Sequence, residues 1–176
     1  MSKTLFVAIA AASALAIGAA PATATAQDDP TIVFIFDQAN TVDIETGNLA
    51  AKKGHSPEVR EFGAMLARDH EMVRKMGRDL AAKLGVTPTA PADNAATTKA
   101  HAETMARLNK LSGAEFDHAF LQYEVSFHQS VIDAINTTLL PAIDNAELKA
   151  LVVKVGPAFE GHRLAAERLD AKLSKK

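Results

Sequence analysis

The chain contains no cysteine, no tryptophan and one tyrosine, and aromatic residues make up only 5% of it. The lack of cysteine excludes disulfides, thiolate catalysis, cysteine-ligated zinc and iron–sulfur centres, and lipid anchoring through an N-terminal cysteine. Few aromatics beside abundant alanine favour close-packed helices over a β-sandwich. Charge of one sign is also missing. Nineteen Lys and Arg against twenty-one Asp and Glu leave a formal net charge of −2, which gives no electrostatic reason to expect nucleic acid or an anionic membrane as partner. There is no Gly-rich phosphate loop and no nucleophile elbow followed by a Ser-His-Asp order.

A long hydrophobic run is lacking as well. The most apolar stretch, Leu5 to Ala20, is shorter than the about 20 residues that span a bilayer, and alanine dominates it. Lys3 before it, and Pro21 followed by Ala24-Thr25-Ala26 after it, make the pattern of a secretory signal cleaved before Gln27. The expected division is a signal peptide, 1–26, and one helical domain, 27–176. The expected compartment is the periplasm, with no stable membrane insertion once the signal is removed.

Helical periodicity and end signals divide the domain. Asp29-Pro30 opens a first helix carrying Ile35, Ala39, Val42, Thr46 and Leu49 on one stripe and stopping at Gly54. Ser56-Pro57 opens a second, whose stripe runs from Val59 through Leu84 to Gly85. Val86 to Ala96, with Pro88 and Pro91, reads as a crossing loop. A short helix is expected over Thr97–Leu111, a long one over Ala114–Leu139, and another long one over Glu147–Leu173. The short turns make consecutive long helices antiparallel. The expectation is an all-α, up-down bundle of four long helices with one additional short helix.

The informative residues are polar ones that fall on apolar stripes. At 100° per residue, Asp117, Glu124 and His128 lie within about 40° of the centre of the apolar arc on the Ala114–Leu139 helix. Glu124 and His128, four apart, sit one turn from each other on one face. His162 is the polar member of the stripe Val155, Phe159, His162, Ala166, Leu169. On the second helix Asp69 projects at the centre of the stripe and His70 on its flank. On the first, Glu45 projects at the edge of the arc. Counting from the turns at about 1.5 Å per residue places His128 and His162 within about one turn of the same level, and Glu45 and His70 about 7–8 Å apart in level. His55, His101, His118, Asp43 and Glu160 read as surface or partner residues.

Burying such groups costs several kcal/mol unless they are paired, hydrogen-bonded or bound to metal. One inward histidine is ordinarily a hydrogen-bonded core residue. Three histidines and several carboxylates at similar depth exceed what packing requires. Glu45, His70, Glu124, His128 and His162 are therefore the expected ligands of a divalent transition metal (iron, manganese, copper or zinc), with Asp69 and Asp117 supporting them from behind.

Three segments carry a family resemblance: VDIETGNLAAKKGHSPEVREFGAMLARDH, LSGAEFDHAFLQYEVSFHQSVIDAINTTLLP and NAELKALVVKVGPAFEGH. With the signal-like N-terminus they resemble the exported, ferritin-like bacterial family catalogued as domain of unknown function 4142. Asp69-His70, Phe116-Asp117, His128 and the segment from Pro157 to His162 correspond to its recurrent polar positions. The resemblance implies a ferritin-like fold and an exported protein, and leaves the activity open. Di-iron bundles of that architecture place a Glu on each of two helices and Glu-x-x-His on the other two. Here Glu124 and His128 are four apart, and neither His70 nor His162 has a Glu three residues before it. A mononuclear site, or an atypical His-rich dinuclear one, fits the pattern better. Two functions follow as expectations: a periplasmic metalloprotein with a redox or oxidative-stress role, or a non-enzymatic envelope or stress-response protein whose buried polar cluster is structural.

Overall fold

A computed structural model describes residues 28–175, and the expected signal peptide lies outside them. The described chain is helical throughout, with no strand among the described residues. Helix α1 spans Asp29–Lys53, α2 Pro57–Leu84, α3 Asn94–Lys110 and α4 Gly113–Ala134. The last continues through a π-helical turn, Ile135–Leu139, and a closing turn, Leu140–Ala142. Helix α5 spans Ala146–Leu173. No described helix is long and apolar enough to cross a membrane.

The ends follow local chemistry. Asp28 caps α1 by accepting from the Thr31 amide at 3.0 Å, and Ser56 caps α2 by accepting from the Val59 amide at 3.1 Å. Each cap stands just before a proline-containing first turn, where the missing N–H costs no helical hydrogen bond. Gly85 closes α2 at φ 66°, a left-handed conformation that costs glycine nothing. Asn145 caps α5 by accepting from Glu147 and Leu148. Helix α3 begins at Asn94, three residues before the expected Thr97, and α4 runs past the expected Leu139 into the Pro141 turn.

Two carboxylates, half-buried Asp29 and buried Asp117, tie the tight turns to other helices. Asp29 accepts from the amides of Asp144 and Asn145, fastening the start of α1 to the α4–α5 turn. Asp117 accepts from the amides of His55 and Ser56, both at 2.8 Å, fastening α4 to the α1–α2 turn. Helix α3 lies outside the core and buries only Leu108.

The four long helices enclose two apolar clusters. One gathers Ile32, Val33, Ile135, Leu139, Val152 and Phe159; the other gathers Val59, Phe62, Leu66, Phe116, Phe120 and Ala166. Apart from Asp117, the buried polar residues of the long helices fall in sequence between these two sets: Asn40, Asp43 and Thr46 on α1, His70 on α2, Glu124 and His128 on α4, His162 on α5. The interior is thus a polar layer sandwiched between two hydrophobic ones. The layers above and below exclude water from it, which raises the cost of any unmet charge there.

Candidate metal centre

Helix α1 approaches α2 unusually closely at Gly47 and Gly63. A Cβ on either glycine would lie within 2.7 Å of the other's carbonyl oxygen. That approach turns the face bearing Asn40, Asp43 and Gly47 inward, and all three are buried. Glu45 is exposed instead and pairs with His101 of α3 at 2.7 Å. Glu45 therefore does not join the cluster, and Asp43, expected at the surface, takes a central place in it. The expectation followed the large apolar residues of α1, whereas the contact that orients this helix is made by small ones. The spacing Asn40, Asp43, Gly47, Ala50, opposite Gly63 of α2, was the available signal.

The same approach corrects α2. His70 is 1% exposed, while Asp69, projected at the stripe centre, is a rim residue held by Arg68 at 2.8 Å. Asp69 still touches the cluster, with Oδ2 3.4 Å from His162 Nε2. Asp117 does not: its carboxylate is spent on the amides of the α1–α2 turn, so it serves as a turn anchor. Glu124, His128 and His162 are buried; His128 and His162 meet His70, while Glu124 meets His128 and Asp43.

The donor sets are compact. One nitrogen each from His70, His128 and His162 lie within 4.8 Å of one another, as do one atom each from Asp43, Glu124 and His128. His128 belongs to both sets. His70 Nε2 is 3.1 Å from His162 Nδ1 and 3.4 Å from Asp43 Oδ2, and His128 Nε2 is 3.9 Å from Asp43 Oδ1. Ligand atoms about 2.1 Å from one ion and about 90–110° apart stand about 3.0–3.4 Å from each other. The first two separations fit that spacing, and the third needs a side-chain adjustment of about half an ångström.

Hydrogen-bond partners assign the proton on each ring. Asn40 Nδ2 donates to the Phe36 carbonyl at 2.7 Å, so Asn40 Oδ1, 2.9 Å from His70 Nδ1, accepts from it. The Glu124 carbonyl, one helical turn back, accepts from His128 Nδ1 at 2.9 Å. The Asp69 carboxylate accepts from His162 Nε2. Each outer nitrogen therefore carries the hydrogen, and each inner nitrogen presents a lone pair to the same space. The carboxylates add only acceptors. Both oxygens of Asp43, both of Glu124, and His128 Nε2 are buried with no hydrogen-bond donor to meet them. Their ion-pair partners are imidazoles alone, with no Lys or Arg among the described residues.

Burial sets the electrostatics. It pushes the Asp43 carboxyl well above its usual range, with the Glu124 charge adding to the effect. It pushes His70 down to about 2, with the His128 and His162 charges acting in the same direction. His162 is also lowered, chiefly by burial, and the Asp69 carboxylate opposes that. These shifts work against each other in the metal-free fold. His70 and His162 bind protons less readily in the fold than out of it, so their stabilisation is complete above about pH 6.5 and is lost as the pH falls. Asp43 holds its proton to higher pH in the fold than out of it, so its contribution is lost as the pH rises above about 3.9. Two imidazoles outweigh one carboxyl between these values. Chelator-treated protein should lose stability on acidification below about pH 6.5, by up to about 1.4 kcal/mol per pH unit for a net uptake of one proton on unfolding. Urea melts at pH 6.5, 5.5 and 4.5 measure this, and a flat midpoint would show that the imidazoles are not held neutral by the fold.

A family model described as Domain of unknown function (DUF4142) matches residues 14–169, and the chain belongs to that family. No curated protein and no solved structure matches the chain.

Proposed function

We propose that this chain is an exported metal-binding protein of ferritin-like, four-helix-bundle architecture, working in the periplasm in a redox or oxidative-stress role. The observation that carries the metal reading is the buried layer of acceptors without donors: three imidazole lone pairs and two carboxylates facing one another. A divalent cation answers such a set, whether His70, His128 and His162 or Asp43, Glu124 and His128, and its charge offsets that of the carboxylates. His70 and His128 would bind through Nε2, His162 through Nδ1, and Asp43 and Glu124 through their carboxylates. Asn40, the Glu124 carbonyl and Asp69 hold the three rings in the required tautomers, the usual role of the groups behind a metal ligand. Mixed imidazole and carboxylate donors suit iron, manganese, copper or zinc better than calcium or magnesium. Iron, manganese or copper would supply one-electron chemistry, which is what the redox reading requires. The N-terminal signal pattern supports the compartment.

Melting curves with and without each of the four metals test the reading. At about 100 times the dissociation constant, a metal preferring the fold should add about 2.7 kcal/mol, or about 5–10 °C in Tm for a domain of this size. One observation favours the structural alternative. The raised Asp43 carboxyl, if protonated, can donate to Glu124 and close part of the network without a metal. On that reading none of the four metals moves the melting temperature. Intact mass of the exported protein should give a chain beginning at Gln27, and a retained N-terminus would refute the assigned cleavage.

A further inference from the structure

Beside the polar layer lies an apolar cavity of about 60 Å³, bordered by Ile35, Ala39, Val131, Ala134, Ile135 and Phe159. We propose that it is a docking site for one small apolar gas molecule of the size of dioxygen, one side chain away from the imidazoles. The last step, from cavity to metal, rests on the metal reading above; occupancy of the cavity does not.

Three observations carry the proposal. The first is chemistry. The walls are hydrocarbon, and the polar residue beside them, Asn40, has its amide committed to the Phe36 carbonyl and His70 Nδ1. A water there would find no partner, so the cavity favours an apolar guest over water. The volume is about twice the share of one water in the liquid, enough for a diatomic molecule or a xenon atom.

The second is backbone geometry. Ile135 and Leu139, which border the cavity, are the first and last residues of the π-helical turn of α4. A π turn inserts a residue into the α register and displaces the following side chains, a distortion frequent at functional sites. Here the two ends of the distorted turn both border the cavity.

The third is position. Phe159 and Asn40 are walls shared with the cluster. The Phe159 ring stands 5.1 Å from that of His70 and 5.8 Å from that of His128, and Asn40 bonds His70 directly. A guest in the cavity is separated from the imidazoles by this single layer.

Xenon is the probe. Xenon NMR on the full mature protein should show a saturable shift, with or without metal. Ala39→Leu, which fills the cavity from α1, should abolish it, while metal affinity stays within about twofold of wild type, since Ala39 holds no ligand. Leu139→Ala, which enlarges the cavity, should strengthen xenon binding, as a larger apolar void does. Far-UV circular dichroism confirms that both variants fold. No saturable shift in wild type, or an unchanged shift in Ala39→Leu, overturns the proposal. Xenon binding in a protein that binds none of the four metals would uphold the cavity and refute the metal reading.

Discussion

Metal titrated into the His128→Ala variant is expected to bind on the order of 100-fold more weakly than to wild type, or not measurably. Changes behind a metal ligand typically cost about 10–100-fold, and loss of a ligand itself should reach or exceed the top of that range. His128 has the largest expected effect because it is common to both compact donor sets, one with His70 and His162, the other with Asp43 and Glu124. Its Nε2 is fully buried, carries a lone pair, and has no hydrogen-bond partner. Competition against a chromophoric chelator gives the affinity. His162→Ala should weaken binding too, and the double variant should lose little beyond the worse single, because both act on one site. Glu45→Ala is the internal control, since its carboxylate is outside the core beside His101. Wild-type affinity in His128→Ala, or a loss in Glu45→Ala as large as that in His128→Ala, would disprove the assigned ligand set.

The second large effect is on stability. Gly63→Leu should lower Tm by about 6–12 °C, corresponding to about 3 kcal/mol for a domain of this size. The first atom of any side chain at Gly63 would lie 2.6 Å from the Gly47 carbonyl oxygen and 2.7 Å from the Ala51 nitrogen. These are backbone atoms and cannot rotate away, so the two helices must separate. Separation would also draw Asp43 and Asn40 out of the polar layer. Metal affinity should fall in the same variant even though Gly63 contacts no ligand. Gly161→Ala is the contrast, because a Cβ there meets nothing within 4 Å. It should be neutral or stabilising by up to about 1 kcal/mol, the helix-propensity gain of alanine over glycine. A Gly63→Leu variant melting within 2 °C of wild type would mean that the helices tolerate separation and that the glycine contact does not orient α1.

Most of the cluster was legible in the amino-acid pattern because α4 and α5 each bury a single broad face. On α4 that face carries Phe116, Phe120, Glu124 and His128 at four-residue spacing, and on α5 it carries Val155, Phe159, His162 and Ala166 at three- and four-residue spacing. Polar residues at apolar positions could therefore be picked out before any fold was known. Helix α1 was not legible in the same way. It buries Ile32, Val33, Val42 and Ile44 together with Asn40, Asp43, Thr46 and Gly47, which is more than one stripe. A projection weighted by hydrophobicity has no single direction to find there, so it chose Glu45 and passed over Asp43. Asp117 was misplaced for a related reason. Periodicity shows that a side chain points inward, but not which backbone amides wait for it, and those belong to a turn more than sixty residues earlier in the chain.

The sequence by itself determined the helical class, the turns, and three of the inward histidines, because helix caps, prolines and the 3.6-residue period act locally and leave local marks. Only the tertiary structure decided that Asp43 joins those histidines, that Glu45 and Asp117 do not, and that every inner nitrogen is left as an acceptor. Those outcomes depend on the rotation of α1 against α2, set by two backbones meeting at Gly47 and Gly63, and on partners supplied from other helices. Neither leaves a periodic trace along any one segment of the chain.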